Sequence, residues 1–145
     1  MTIGLLSTLL ASATLIAIAA LHVYWGLGGY WPATNERSLT ETVVGPTPDG
    51  RMPGLIACLV VCGLLLAAAL APLTIRGMVP LPVGLASVCV WGSAAVLGIR
   101  GVGGFLERRL RPAVVGLPYD RLNRAIYSPL CLLLSALLVG SAALP

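Results

Sequence analysis

His22 is the one histidine in 145 residues, and it stands in a stretch of chain that is otherwise apolar. An imidazole there can pass a proton, accept a hydrogen bond or ligate a metal. An ionisable group inside an apolar span calls for a partner and marks a site by default. His22, Trp25, Gly26 and Gly29 fall at i, i+3, i+4 and i+7 and so share one face of a helix. The two glycines would let a second helix, or a ligand, come close to the imidazole. The alternative is a neutral histidine hydrogen-bonded to a neighbouring helix, and spacing alone leaves both readings open.

The other chemistry-bearing residues narrow the field. Cys58, Cys62, Cys89 and Cys131 all lie within apolar runs, where thiols behave as small hydrophobes. Cys58 and Cys62 are one helical turn apart, but their spacing with His22 matches no standard zinc pattern, so no metal site is expected. One histidine also rules out bis-histidine haem ligation within a single chain. Gly101, Gly103 and Gly104 lack the preceding strand and the following Lys-Ser/Thr of a phosphate loop, and read as a flexible helix end. Glu107 with Arg111, and Asp120 with Arg124, are spaced as i, i+4 ion pairs. Every carboxylate (Glu36, Glu41, Asp49, Glu107, Asp120) falls outside the apolar runs, which argues against an ion-coupled transporter and leaves no acid–base pair for an enzyme. No residue pattern names a cofactor.

The elements that must position these residues follow from composition. Hydrophobic residues make up 58% of the chain and charged ones only 10%, with a mean hydropathy of +0.97. A soluble domain carries roughly 25% charge, and so apolar a chain could not cover its own surface with polar groups. A hydrocarbon core of about 30 Å needs roughly 20 apolar residues per helix. Four runs meet that need, at about residues 3–31, 55–75, 81–99 and 126–144. The fold expected is therefore all-α, a four-helix transmembrane bundle forming a single domain. The first run, near 43 Å if wholly helical, must tilt or protrude, with Tyr30 and Trp31 at the interface. Lacking a basic segment before it, it reads as a retained helix and not a cleaved leader. Gly84, Ser87, Trp91, Ala94, Gly98 and Gly101 form a small-residue stripe for helix packing on the third run. Two readings remain for the fourth. Either Ser128 caps a helix that opens at Pro129, or the helix begins near Asp120 and kinks there.

All nine basic residues are arginine, and eight of them lie in the two longer connections, about 32–53 and 100–125. Only Arg76 lies at the opposite end. The positive-inside rule places both connections in the cytoplasm and both termini outside. Arginine alone, with abundant Ala, Gly and Leu, hints at a GC-rich bacterial genome, and the location expected is the bacterial inner membrane. The net charge of +4 is topological and does not point to nucleic acid, because the arginines flank apolar spans with no aromatic platform among them. Arg108, Arg109, Arg111, Arg121 and Arg124 are expected to set topology and touch anionic headgroups.

Three segments carry a family resemblance. They are Ala20-Leu-His22-Val-Tyr24-Trp25-Gly-Leu-Gly28-Gly29, then Arg100 followed by Gly103-Gly104-Phe105, then Pro118-Tyr-Asp120-Arg121-Leu-Asn-Arg124 leading into Tyr127-Ser128-Pro129-Leu-Cys131. In this order the chain resembles the bacterial membrane proteins grouped as the domain of unknown function 3995 family. The resemblance implies a four-helix membrane protein and no activity, and it singles out His22, Trp25, Arg100, Asp120, Tyr127, Ser128 and Cys131. The leading expectation is a site in the cytoplasmic leaflet, formed by His22, Trp25, Arg100, Asp120, Tyr127 and Ser128. It would bind an amphipathic or anionic ligand such as a lipid or quinone headgroup. The second is a non-catalytic accessory subunit that joins a larger membrane complex, or its own copies, through the small-residue stripe. A membrane enzyme of unnamed reaction comes third.

Overall fold

The computed structural model describes residues 2–145, and every regular element among them is helical. Four long helices dominate: α1 (Ile3–Gly26), α3 (Leu55–Ile75), α4 (Val83–Leu110) and α6 (Ser128–Ala143). Each of α1, α3, α4 and the continuous helix Pro118–Ala143 is long and apolar enough to cross a membrane. Two short helices, α2 (Glu36–Val43) and α5 (Pro118–Leu122), sit at the arginine-rich end. α1 packs along α3 and α6, and α4 packs along α6 and α3, so α1 and α4 face each other across the diagonal of the bundle.

The distribution of side chains is the reverse of a water-soluble bundle. The interior holds Ala11, Ala68, Ala69, Ala71, Ala86 and Ala94 around a few larger residues, Leu15, Val90, Leu134 and Leu138. Large aliphatic side chains such as Ile56, Leu64, Leu85, Val88 and Ile99 point outward. Small residues let apolar helices approach when the surrounding solvent is itself apolar, because only packing and hydrogen bonds then favour association. Both close pairs carry such a bond. Ser12 Oγ donates to Ala69 O across α1–α3 at 2.7 Å, and Ser135 Oγ donates to Ala94 O across α6–α4 at 2.7 Å.

Element boundaries depart from the expected ones where the local chemistry differs from a plain apolar run. α1 stops at Gly26, short of Trp31, and the chain turns through Gly28. α4 continues past Ile99 to Leu110, so Gly101 and Gly104 are not a flexible end: both are buried in the helix against the α5–α6 segment. Within the small-residue stripe, Gly98 faces Ser135 and Gly101 faces Leu132 of the same chain. The fourth helix follows the second of its two readings. It begins at Pro118 and passes through a π turn, Asn123–Tyr127, before continuing as α6. Pro129 explains the turn: its ring would crowd the carbonyl four residues back, and one extra residue per turn relieves that clash.

The two ends are held differently. At the end opposite the arginine cluster, Arg76 Nη2 donates to Ser141 O at 3.1 Å and Leu144 O at 2.6 Å, and Gly4 N donates to Pro145 O at 3.0 Å. The isolated arginine thus caps carbonyls that the last turn of α6 leaves without partners. Arg76→Ala is expected to destabilise the bundle by about 1 kcal/mol, read as a lower midpoint in denaturant titration in detergent.

Candidate functional site

The polar centre of the molecule is built where α4 passes the π turn. Asn123, only 2% exposed, accepts from Arg100 Nη2 at 2.8 Å and from Ser128 Oγ at 3.2 Å through its Oδ1. Its Nδ2 donates to Gly104 O and to Glu107 Oε2, each at 2.9 Å. Tyr119 OH closes the ring, accepting from Arg100 Nη2 at 3.0 Å and donating to Glu107 Oε2 at 2.8 Å. The π turn makes the cluster. Five residues apart on an α-helix, Asn123 and Ser128 would stand about 140° from one another. In the wider turn, where Ser128 N bonds Asn123 O, they share a face. Gly104 makes room, since a Cβ there would meet Ser128 Oγ, Arg100 Nη1 and Asn123 Oδ1. No polar atom of this ring is left buried without a partner, as a buried network requires.

Around the ring lie two ion pairs and a strap. Glu107 also binds Arg111 at 2.9 Å, in the expected i, i+4 register. Asp120 does not pair with Arg124; Arg108 Nε lies 3.1 Å from its Oδ2 instead. The π turn accounts for this, because Arg124 falls inside it and loses the i, i+4 alignment with Asp120. The strap is the connection 27–54 with α2, whose N-terminus is closed by a reciprocal Asn35–Ser38 capping box. It is fastened by Tyr127 OH to Thr42 O at 3.1 Å and by Arg111 Nη2 to Pro46 O at 3.3 Å. Gly45, at φ +89°, brings the backbone against the Tyr119 ring.

On the outward side of the same segment is an open cavity of about 450 Å³, lined by Phe105, Arg108, Asp120, Arg121, Arg124 and Ala125. Three guanidinium groups face one carboxylate there. Arg121 and Arg124 hold no ion pair or hydrogen bond within the described residues, and both are exposed. Phe105 and Ala125 give the cavity an apolar side. A larger hollow of about 780 Å³ lies under the strap, between α2, Pro46–Gly50 and Leu117.

His22 and Trp25 stand apart from this constellation, on the last turns of α1. Their rings meet edge to face at 5.3 Å. His22 Nδ1 lies 2.8 Å from Ile18 O; a carbonyl only accepts, so Nδ1 carries the proton. Trp25 Nε1 donates to Trp31 O at 2.7 Å. Gly26 lets α3 approach, with Cys58 and Leu55 over it. Cys58 and Cys62 are both buried on α3, and all four cysteines are unpaired.

The family model described as "Protein of unknown function (DUF3995)" matches residues 15–138. The chain belongs to that family. No curated protein and no solved structure matches it. The span that defines DUF3995 here takes in the Asn123 ring, the arginine cavity and the His22–Trp25 pair. The cap formed by Arg76 on Ser141 and Leu144 draws its acceptors from outside that span.

Of the site residues expected from sequence, Arg100 and Ser128 meet at Asn123, Asp120 lines the cavity beside Arg108, and Tyr127 fastens the strap. Glu107, Tyr119, Asn123 and Phe105 are the additions. Tyr119 and Asn123 are four apart within the Pro118–Arg124 segment of DUF3995 resemblance, a spacing that already places them on one helical face.

Proposed function

We propose that this DUF3995 chain is an integral protein of a bacterial inner membrane that holds an anionic amphiphile at the cytoplasmic leaflet. In this reading the four apolar helices span the bilayer, with both termini outside and the arginine-rich end in the cytoplasm. The observation that carries the reading is the cavity beside α5. Arg121 and Arg124 present guanidinium groups with no partner among the described residues, next to Arg108 and the apolar edge of Phe105. Guanidinium forks match phosphate oxygens in geometry as well as charge, and arginines at this level of a membrane meet headgroups. From Arg100 to Arg124 six arginines stand against two carboxylates, an excess that anionic ligands would balance. The Asn123 ring supplies rigidity: it fixes α5 against α4 and so fixes the cavity between them.

This centres the headgroup on Arg121 and Arg124 rather than on His22, whose ring proton is already engaged by its own helix. The test is native mass spectrometry of the protein purified in mild detergent and supplied with phosphatidylglycerol. Arg121→Gln with Arg124→Gln is expected to lower lipid retention roughly tenfold or more, while Arg37→Gln, in the exposed strap, leaves it unchanged. Undiminished retention in the double variant would refute the reading.

A further inference from the structure

The arginine cavity contains one group that a purely anion-collecting surface would not place there. Asp120 is largely buried, its side chain 11% exposed, and its Oδ2 faces Arg108 at 3.1 Å. Among the described residues no donor bonds Oδ1. Oδ1 is not fully buried, and Asp120 is one of the residues that line the cavity. The cavity therefore offers two chemistries side by side. The guanidinium groups of Arg121 and Arg124 donate, and a carboxylate oxygen can only accept.

Building on the reading that this cavity takes the phosphate of an amphiphile, we infer that Asp120 selects phosphodiester lipids whose headgroup carries an O–H or N–H donor. The phosphate of such a lipid, singly charged, lies against Arg121 and Arg124. Its headgroup hydroxyl or ammonium turns back to Asp120 Oδ1, and its glycerol stem follows Phe105 and Ala125 toward the hydrocarbon. Each alternative headgroup fails one of these contacts. A doubly ionised phosphomonoester brings more negative charge against Asp120 and no headgroup donor. A choline headgroup brings charge but no N–H, so on covering the carboxylate oxygen it displaces water and leaves that oxygen unsatisfied, which is costly for an acceptor buried by the ligand. Rejection by an unmatched polar group discriminates more sharply than a difference in size. Glycerol and ethanolamine headgroups supply the same donor chemistry, and the measurement separates them.

Full-length protein in phosphatidylcholine nanodiscs is titrated with phosphatidylglycerol, phosphatidylethanolamine and phosphatidic acid, and bound lipid is counted by native mass spectrometry. Wild type is expected to retain phosphatidylglycerol or phosphatidylethanolamine about tenfold over phosphatidic acid and phosphatidylcholine. The better retained of the two donor lipids identifies which donor, hydroxyl or ammonium, fits Oδ1. Asp120→Asn is expected to erase the discrimination against phosphatidic acid. Arg108→Gln breaks the same ion pair but keeps the carboxylate, and is expected to keep the wild-type order. A monodisperse elution profile identifies folded variants. Wild-type selectivity in Asp120→Asn overturns the inference, as does equal loss of selectivity in Arg108→Gln, which would make the ion pair and not the carboxylate responsible. Either result leaves the headgroup site itself standing. That site fails separately, if the Arg121→Gln and Arg124→Gln double variant keeps all its lipid.

Discussion

Asn123→Ala is expected to destabilise the bundle by about 3 kcal/mol, the largest loss of any polar substitution in the chain. One side chain serves four partners: Arg100, Ser128, the Gly104 carbonyl and Glu107. Two of them are ionised, and a hydrogen bond to a charged group contributes about 1.5–3 kcal/mol net. Bonds between neutral groups inside a membrane protein average nearer 0.6 kcal/mol. Truncation also leaves both charges in place with fewer partners, the situation in which a buried ion pair is most destabilised. Tyr119 still bridges Arg100 to Glu107 and Arg111 still binds Glu107, which limits the loss. Ser128→Ala removes only one neutral bond and is expected to cost under about 1 kcal/mol. Denaturant titration in detergent orders the variants. A double-mutant cycle with Arg100→Gln tests the network directly, since a shared partner predicts coupling above about 0.5 kcal/mol. Additive losses would mean that Asn123 matters by packing alone.

Much of this architecture is legible in the sequence because lipid-facing helices follow one rule, a sufficient length of apolar chain. The four long helices and the Glu107–Arg111 pair follow from length or from α-helical spacing. What escaped did so for a common reason: it depends on departures from that spacing. The π turn brings Asn123 onto the face of Ser128, and a count in steps of three and four puts them on different sides of a helix. The same turn uncouples Asp120 from Arg124 and leaves it to Arg108, a residue of the preceding helix. Pro129 was the visible sign of irregularity, but a proline only requires that the helix adjust, not how.

The candidate site shows the same division. Arg100, Asp120, Tyr127 and Ser128 are singled out by the family resemblance. Which of them meet depends on how far α4 extends beyond its apolar run, and charge content obscured that extension. Arg100, Glu107, Arg108 and Arg109 lie on α4, whose charged last turns read as connection when only hydropathy is weighed. The strap helix α2 was hidden by its shortness. Its Asn35–Ser38 box is a local signal, yet eight residues of mixed polarity form a stable helix only with tertiary support, here the docking of Thr42, Gly45 and Pro46 on Tyr127, Tyr119 and Arg111.

Gly104→Ala is expected to destabilise the protein by about 2 kcal/mol, although alanine improves intrinsic helix propensity by about 1 kcal/mol. The new methyl group would meet Ser128 Oγ and Arg100 Nη1, with Asn123 Oδ1 at 3.1 Å. Each atom can move, being at the end of a side chain, but Ser128 Oγ and Asn123 Oδ1 are engaged in the ring, and Nη1 moves with the guanidinium whose Nη2 is. Relief of the clash therefore requires breaking hydrogen bonds of the buried Asn123 and Ser128 side chains, which is costly for buried polar groups. Gly103 is the internal control. It precedes Gly104 on the same helix and has open space where a Cβ would go. Gly103→Ala should gain part of the propensity term and raise the midpoint slightly. Two adjacent glycine-to-alanine substitutions thus carry opposite signs, and thermal unfolding in detergent followed by size-exclusion fluorescence would resolve them. A shift of the same sign in both would show that helix propensity outweighs the fit of α4 against the π turn. Opposite signs would establish that the arginine cavity stands on a junction held to the width of a single methyl group.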